Sequence, residues 1–393
     1  MHILFVTLTK LDRNRGDAIH AAELARHLAR LGARVTLVGS GVPRFPLEGV
    51  TVLDAGPAPR GGPVRRALGF ARLVARTFAR TLRLGREADV IYTRAVVLGA
   101  LLALCPRRPF VFEANGLQGD EKRMLSRSLW GRIEGGIVRA AEALCARRAR
   151  GVVCVTPGIR DILAREYGVP ADRLAVANNG VNLDLFTPQT DPQGRQALRT
   201  SLGLGDRDAA IVFLGALAPW HDVALLIDAV ARLELKGRRP VLLVVGDGPP
   251  RKALEEQART LPDPGRVVFA GDVPYAEAPR YLTLADVCAL PLTQERNERI
   301  GVSPLKLYSY LACGRFTVAS RVGGFDFLEE RRLGALAPCG DAAAFAAALE
   351  AWLEAGADER RRVEREARRY AEEHGGWDHA ARTVLDVCGR AAG

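Results

Sequence analysis

The sequence predicts an α/β protein built from two Rossmann-like, doubly wound parallel-sheet domains, and two observations favour this fold class. Short β-branched runs alternate with longer amphipathic stretches from the first residue onward, which is typical of βα units. The length of 393 residues exceeds one ordinary hydrophobic core, and roughly 100–200 residues per domain indicates two domains. We expect the domains to face each other across a cleft, since such folds bind ligands at the carboxyl ends of their strands.

The first half of the chain carries the apolar runs of the first predicted sheet. Strands are expected at 2–8, 33–39, 50–54, 89–93, 109–113, 151–156 and 174–177. The first strand leads through a polar loop into a helix, and Gly16 lies at this turn, where the missing side chain lets a ligand approach the backbone. A helix amino terminus offers free N–H groups, so the turn is either a phosphate site or an ordinary βα connection.

The second half restarts the pattern after a polar connection with two prolines at 187–196, where we place the domain boundary. Its strands are expected at 209–215, 240–246, 266–271, 286–292 and 316–320. The first domain is therefore predicted to cover 1–187 and the second 197–376.

The segment 60–86 is strongly basic, with eight arginines, no acidic residue and apolar residues at roughly helical spacing. It is either a helix that lies on an anionic membrane, where each cation is worth about 1 kcal/mol, or an ordinary domain helix with a solvated arginine face. The formal net charge of +11 also indicates an anionic ligand. We do not expect nucleic acid binding, because no aromatic stacking pattern or known binding motif accompanies the charge.

The chain shows no signal for membrane insertion or for a bound metal. Arginines interrupt every apolar run before the roughly 18–20 residues that a membrane-spanning helix needs. The amino terminus lacks the pattern of a signal peptide. We therefore expect a cytoplasmic protein, peripheral on the inner membrane face if the basic segment binds lipid. Neither metal-ligand spacing nor a GxGxxG dinucleotide motif is present, so no metal or resident cofactor is expected.

The segment GVSPLKLYSYLACGRFTVAS (301–320) combines a small-residue loop, a helix and a buried strand. Ser303 suits the N-cap of this helix and Pro304 its first position. The following turn, from Leu305, would present backbone N–H groups with the Lys306 ammonium beside them. This is either a diphosphate cradle or a capped helix whose lysine is merely solvated.

Seven ordered segments resemble the retaining glycosyltransferases of family 4, in the subgroup with an SPLK motif. They are GDAIHAAELARHLARLGARVTLV (16–38), VFEANGL (111–117), NNGVNLDLFTP (178–188), FLGALAPWHDVALLIDAV (213–230), VVGDGP (244–249), ADVCALPL (285–292) and SPLKLYSYLACGRFTVASRVGG (303–324). The resemblance implies a GT-B fold whose final helix, 377–391, returns to the first domain. It also implies transfer from a nucleoside diphosphate sugar to a hydroxyl of a glycan or lipid-linked acceptor, with retention and without metal.

Carried onto this sequence, the resemblance implies a role for each matching residue. Gly16 would approach the donor phosphates, which Ser303, Pro304, Leu305 and Lys306 bind from the second domain. Gly271, Asp272 and Val273 would border the base through backbone contacts. Asn115 would lie beside the transferred sugar, where many members carry a histidine, with Gly301 also near the sugar. Asn115 and Lys306 are therefore the predicted catalytic residues.

Three departures from the family pattern concern the donor site. Ala216 and His221 stand where an arginine and a lysine usually face the diphosphate, and Ser309 replaces a glutamate that grips the ribose. His221 would supply a hydrogen bond or part of a charge, given an ordinary pKa near 6.5. Ser309 would make weaker hydrogen bonds than a carboxylate, and Glu295 and Glu298 either compensate or belong to a solvated loop. The loss of the cation at 216 and of the carboxylate at 309 motivates one alternative to the enzyme, a catalytically silent GT-B protein that binds nucleotide, glycan or a partner enzyme.

Overall fold

The computed structural model describes residues 1–59, 61–105, 109–126, 128–188, 191–303 and 305–393. The chain divides into two compact domains. The first contains 1–13, 17–179 and 377–393, and the second contains 14–16 and 180–376. Among the described helices, none has the length and apolar character needed to cross a bilayer.

Within the described residues, the first domain is built on seven parallel strands. They are β1 (His2–Lys10), β2 (Arg34–Ser40), β3 (Val50–Asp54), β4 (Val90–Thr93), β5 (Phe110–Ala114), β6 (Gly151–Cys154) and β7 (Leu174–Val176). Their order in the sheet is β3-β2-β1-β4-β5-β6-β7, so the strand order reverses between β1 and β4. The central strands are apolar without alternation because helices cover both faces of a parallel sheet.

Six α-helices and a short 3-10 helix (Ala171–Arg173) precede residue 180 in the part of the chain that the structure describes. The α-helices are α1 (Gly16–Arg30), α2 (Pro63–Leu84), α3 (Val96–Leu104), α4 (Gln118–Leu125), α5 (Leu129–Arg148) and α6 (Pro157–Arg165). The helix predicted within 60–86 is thus confirmed as α2, although Arg60 lies outside the described residues. Helix α3 contacts both α2 and α5, so these three helices are neighbours on one domain.

The second domain repeats the same architecture with six parallel strands among its described residues. They are β8 (Asp208–Leu214), β9 (Arg239–Val245), β10 (Val267–Gly271), β11 (Val287–Leu290), β12 (Thr317–Ser320) and β13 (Gly334–Ala337). Their order is β10-β9-β8-β11-β12-β13, with the reversal between β8 and β11. All twelve predicted strands are present, with ends shifted by at most two residues, and β13 is an additional strand.

The helices of the second domain follow in chain order. They are α7 (Pro192–Ser201), α8 (Val223–Ala231), α9 (Arg251–Arg259), α10 (Ala278–Leu282), α11 (Gln294–Ile300), α12 (Leu305–Ala312), α13 (Phe327–Glu330), α14 (Ala342–Leu353) and α15 (Ala357–His374). Helix α12 packs against α15 and against β12, which fixes its first turn relative to the sheet.

The last helix, α16 (Trp377–Ala392), belongs to the first domain, where it packs against β4, β5, β6 and β7. Trp377 at its start is fully buried and contacts the ring of His20 edge-on, with centroids 5.1 Å apart. The sequence of α16 is amphipathic because the apolar face covers the sheet and the polar face is exposed to solvent.

Residues 180–187 belong to the second domain, whereas the sequence placed them in the first. The physical reason is packing: Val181 and Phe186 are buried in the core of the second domain. The polar composition of 187–196, which marked the expected boundary, begins only after that buried segment. Apart from residues 14–16, the second domain therefore begins at residue 180 and ends at residue 376.

Candidate active site

Three adjacent strands of the second domain end on glycine. Gly215 follows β8, Gly246 follows β9 and Gly271 closes β10, with φ angles of 137°, 138° and 76° that side chains rarely adopt. Gly215 N–H donates to Val245 O at 2.8 Å, and Gly246 N–H donates to Gly271 O at 2.7 Å. A Cβ built on Gly246 would lie 2.0 Å from Gly215 O. The strand ends thus pack backbone against backbone, leaving a surface without side chains at the edge where ligands of such sheets bind.

The Lys306 ammonium lies at this edge, brought there by the first turn of α12. Its Nζ is 4.4 Å from the centroid of the Phe213 ring, and a Cβ built on Gly215 would lie 3.1 Å from Nζ. Nζ is buried and has no hydrogen-bond partner among the described residues. Burial lowers the pKa of Lys306 to about 7, because a charged amine loses its hydration there. The site therefore holds an amine that needs an anionic partner when it is protonated.

His221 lies close to this lysine and is uncharged. Its Nδ1 is 2.8 Å from Ala216 O, which fixes Nδ1 as the protonated nitrogen. Burial, together with the charges of Lys306 and Arg296, lowers the pKa of His221 to about 2, and the hydrogen bond to the Ala216 carbonyl offsets only part of this effect. The expectation that His221 supplies part of a charge at neutral pH is therefore wrong, since a cation here would be desolvated beside another cation. It remains able to accept a hydrogen bond through the unprotonated Nε2.

Ser309, predicted at the ribose, is buried on the second turn of α12. Its Oγ donates to Leu305 O at 3.0 Å, four residues earlier in α12. The hydroxyl proton is thus used within the helix, and only the oxygen lone pairs stay open to a ligand. Glu295 and Glu298, the suggested substitutes for the missing glutamate, are exposed on α11, where Glu298 accepts from Gln294 at 2.8 Å.

The loop between α11 and α12 carries the other predicted second-domain residues. Gly301 has a φ of 71° and ends α11, so the glycine is needed for the turn. Ser303 lies in this loop and Leu305 is the first described residue of α12, whereas Pro304 lies outside the described residues. Asp272 and Val273 follow β10 directly, next to Gly271. The second domain thus brings the predicted diphosphate lysine and His221 together at the glycine-ended strands.

The sequence predicts two donor-site residues in the first domain, Gly16 and Asn115. Gly16 is the first residue of α1 and groups with the second domain instead, because residues 14–16 pack with it. The half-buried Asn115 follows β5 in the first domain. Asn115 comes two residues after Glu113, a fully buried carboxylate. Tyr92 donates to Glu113 at 2.7 Å, and His20 Nε2 lies 2.5 Å from Glu113 Oε1.

His20 closes this buried cluster on its other side. Its Nδ1 is 2.6 Å from Asn179 Oδ1, so oxygen atoms face both ring nitrogens. Burial raises the pKa of Glu113, but the His20 charge and hydrogen bonding overcome it and lower that pKa to about 2. Glu113 is therefore ionised, and the cluster anchors β5, the strand that Asn115 follows.

Sequence reasoning missed Phe213, Gly215 and Gly246 as site residues. A usable signal was present, because FLG (213–215), VVG (244–246) and FAG (269–271) each end a predicted strand on glycine. Three successive parallel strands with this ending indicate an edge kept free of side chains. The contact between Phe213 and the lysine has no such signal, since it depends on the three-dimensional path of α12.

Comparisons with known proteins agree with this arrangement. The model described as Glycosyltransferase Family 4 matches residues 15–185, and the model described as Glycosyl transferases group 1 matches residues 208–355. The D-inositol 3-phosphate glycosyltransferase of Xylanimonas cellulosilytica is 29% identical over 416 residues, which cover 99% of this chain and 96% of that protein.

Other relatives match over a shorter span. The GDP-mannose-dependent alpha-(1-6)-phosphatidylinositol monomannoside mannosyltransferase of Mycolicibacterium smegmatis is 34% identical over 48% of each chain. The chain spans about half the length of several such relatives. Among solved structures, Anabaena Alr3699/HepE in complex with UDP-glucose aligns over 99% of both chains with a TM-score of 0.77 and 21% identity.

Two parallel-sheet domains of this topology define a GT-B fold, and the matched models define a glycosyltransferase. The chain belongs to glycosyltransferase family 4, with one matched segment for each half of the molecule.

Proposed function

We propose that this enzyme transfers a sugar from a nucleoside diphosphate sugar to a hydroxyl of a glycan or lipid-linked acceptor, with retention and without a metal ion. One observation carries the proposal: the buried Lys306 ammonium has no partner among the described residues and lies beside the side-chain-free ends of β8 and β9. An unpaired buried amine is costly in a protein and is expected where a ligand supplies the opposite charge.

The chemistry demands stabilisation of the leaving group. The bond between the anomeric carbon and the diphosphate oxygen breaks, the acceptor oxygen forms a new bond to that carbon, and the acceptor proton passes to a departing phosphate oxygen. Negative charge grows on the diphosphate. Lys306, the first turn of α12 and the preceding Ser303 would bind it. Gly16, at the start of α1, would present its backbone to the same phosphates.

The remaining donor contacts follow from the family roles. Gly271, Asp272 and Val273 would border the base, and Asn115 and Gly301 would lie near the sugar. Different relatives point to different bases, since HepE was solved with UDP-glucose whereas the Mycolicibacterium relative is named as GDP-mannose-dependent. A thermal-shift screen with UDP, GDP, ADP and their sugars identifies the donor of this chain.

The decisive test is donor turnover by Lys306→Ala. We expect a loss of about 10²–10³-fold in kcat with the donor found in the screen, because removal of one charge-stabilising donor typically costs that much. Lys252→Ala, on the exposed face of α9, is the matched control and should leave turnover unchanged. Nucleotide binding without turnover on any donor would instead support the silent alternative.

For the acceptor, we propose peripheral contact with an anionic membrane through α2. Its arginines at 65, 66, 72 and 83 are exposed, and so are Val64 and Leu68 on the same helix. Every large apolar side chain found exposed among the described residues lies in the first domain. Cations alternating with exposed apolar side chains suit the interface of an anionic bilayer.

Helix α5, which contacts α3 as α2 does, carries a second exposed apolar face. Leu129 and Trp130 at its start are 75% and 76% exposed, and Ile133 and Ile137 continue the apolar face at helical spacing. Tryptophan is enriched at membrane interfaces because its ring is apolar and its N–H polar. We include this face in the proposed membrane contact.

Vesicle co-sedimentation tests the contact. Binding to phosphatidylglycerol-containing vesicles should fall when Arg65, Arg66 and Arg72 become Gln, by roughly 100-fold if each contributes about 1 kcal/mol. The matched control replaces Arg361, Arg365 and Arg369, which are exposed on α15 of the second domain, and should bind as the unaltered protein does. Unchanged binding of the α2 variant would rule out this contact.

A further inference from the structure

The loop that carries Asn115 is three residues long and joins the end of β5 to the start of α4. Asn115 and Gly116 are half-buried, and Leu117 is 1% exposed. Helix α4 begins at Gln118, and its N-cap residue Leu117 makes no side-chain hydrogen bond to the free N–H groups of the first turn. A leucine side chain has no acceptor, so another part of the chain must satisfy these groups.

The Glu142 carboxylate satisfies them from the adjacent helix α5. Its Oε1 accepts from the Gln118 N–H at 2.7 Å, and its Oε2 accepts from the Gly119 N–H at 3.1 Å. The Tyr167 hydroxyl donates to Oε2 at 3.4 Å. Glu142 is 2% exposed, and no cation among the described residues forms an ion pair with it. Both carboxylate oxygens are thus bound to the segment that follows Asn115.

Close packing between α4 and α5 keeps the two N–H groups within reach of this carboxylate. A Cβ built on Gly119 would lie 2.5 Å from Arg139 N, and one built on Gly135 would lie 2.9 Å from Gly119 O. The Arg139 guanidinium also donates to Asp120 at 2.7 Å. The start of α4 is therefore fixed, backbone against backbone, to the helix that carries Glu142.

The loop is therefore held at both ends by buried carboxylates, Glu113 before it and Glu142 after it. Glu113 contacts His20, whereas Glu142 has no charged partner. A serine at the N-cap would satisfy one backbone N–H group without burying a charge. The carboxylate instead binds two at once, directly after the loop. We propose that Glu142 is a positioning residue of the active site, whose carboxylate holds this loop so that the Asn115 amide meets the transferred sugar.

This inference rests on the proposed function, in which Asn115 lies near the sugar of the donor. Burial raises the pKa of Glu142 to about 7, against the lowering effect of the two backbone N–H groups. The protonated carboxyl loses part of its capacity to accept, so the loop is held less firmly as pH falls below about 7. With saturating donor, kcat should therefore decline over the same range.

The other groups that face Glu142 come from three elements. They are Asp120 of α4, Cys145 of α5 and Tyr167 after α6. Burial raises the pKa of the thiol and of the phenol, so both stay neutral at pH 7. Asp120 is ion-paired with Arg139. A decline of kcat below pH 7 that disappears in Glu142→Gln is therefore the titration of Glu142 itself.

The first measurement is hydrogen–deuterium exchange of the full-length free protein, read on the segment 111–125. Glu142→Gln keeps the side chain's size but turns an amide N–H₂ group towards one backbone N–H group. We expect the amides of Gln118 and Gly119 to exchange about tenfold faster, the worth of one hydrogen bond to a charged acceptor. The matched control is Glu134→Gln, at an exposed position of α5 that pairs with Lys122 of α4, and it should leave these two amides unchanged.

The second measurement is a double-mutant cycle on turnover of the donor found in the thermal-shift screen. Glu142→Gln should lower kcat about tenfold or more, because misplaced groups are costly, and should change the donor KM by less than about twofold. In an Asn115→Ala background the same change should have no further effect on kcat, since Glu142 acts through Asn115. A purely structural role would lower stability and leave kcat of the folded enzyme unchanged.

Two results overturn the inference. One is unchanged exchange of the two amides in Glu142→Gln, which needs no donor to measure. The other is an equal loss of kcat from Glu142→Gln with and without Asn115. The proposed function fails in a different way, since Lys306→Ala would then leave donor turnover unaltered.

Discussion

The Lys306 ammonium lies 4.4 Å from the centre of the Phe213 ring, over an aromatic face that attracts cations without forming a hydrogen bond. The ring offsets part of the cost of burying the charge, and the pKa of Lys306 is still lowered to about 7. The lysine is therefore near the midpoint of its titration in the free protein at neutral pH. A bound diphosphate would favour the charged form.

The first prediction concerns the pH dependence of nucleoside diphosphate binding. Because the ligand prefers protonated Lys306, affinity should be greatest below about pH 7 and fall as pH rises above it, by up to about tenfold per unit. Calorimetry in buffers of different ionisation enthalpy should show proton uptake above pH 7. Lys306→Arg, which stays charged, should remove this dependence. Equal pH profiles for both proteins would contradict the assignment.

The second prediction concerns Ser309. Since its Oγ already donates to Leu305 O, Ser309→Ala should weaken nucleotide binding by less than about fivefold, the worth of roughly one ordinary hydrogen bond. Titration calorimetry checks this value, with Lys306→Ala as the contrasting variant. A hundredfold loss of nucleotide affinity would mean that the Ser309 oxygen binds the ribose hydroxyls as the family glutamate does.

The third prediction concerns the glycine-ended strands. Gly246→Ala would place a Cβ 2.0 Å from Gly215 O at a φ of 138°, so the backbone of the second domain must shift. We expect a loss of about 3 kcal/mol or more in the free energy of unfolding, together with weakened nucleotide binding. Gly203→Ala is the control, since its Cβ would meet nothing within 4 Å and its φ of 69° costs only about 1–2 kcal/mol. Urea unfolding compares the two, and equal losses would refute the role given to close backbone packing.

The fourth prediction concerns α16. Trp377 is 1% exposed, so Trp377→Ala should lower the free energy of unfolding by about 3–5 kcal/mol. Trp130→Ala removes the same side chain from a 76% exposed position and should change stability by no more than about 0.5 kcal/mol. Should the two variants unfold at the same urea concentration, α16 would not be packed as described.

The fifth prediction concerns acid stability. The pKa of Glu113 is about 2 in the folded protein, below its ordinary value of 4.5. Between these two pH values the unfolded chain therefore binds a proton at Glu113 more readily than the folded protein does. Its contribution of about 3 kcal/mol is therefore present above pH 4.5 and lost as pH falls towards 2. Glu113→Gln should be less stable at pH 7 and lose less stability over that acid range. Parallel pH–stability curves for the two proteins would contradict this.

The fold was predictable because parallel strands buried on both faces must be apolar throughout. That signal located twelve strands, and it failed at β13, whose sequence is GALA, because glycine and alanine carry no β-branched signature. The boundary was misplaced because Phe186 gives no local sign of which core it enters. The composition of 187–196 indicates an exposed segment, but it does not show which domain core the preceding residues enter, because that depends on contacts with residues distant in sequence.

The site was predictable in its residue types but not in their protonation. The sequence identified Lys306 and His221 as neighbours of the diphosphate through family resemblance. It did not predict that burial leaves His221 neutral and Lys306 half charged, because both pKa shifts depend on packing. On the proposed function, Lys306 would be the principal side-chain cation at the diphosphate, since Ala216 and Ser309 carry no charge.

The lowered pKa of Lys306 also gives the free enzyme a reactive amine. Among five lysines, this one exists substantially as the unprotonated nucleophile at neutral pH, whereas an ordinary lysine, with a pKa near 10.4, does not. A small acylating or carbonyl reagent that reaches it should modify Lys306 ahead of the exposed lysines. A bound nucleotide would then protect the Lys306 amine from the reagent. Peptide mass mapping would detect this as the loss of one modification.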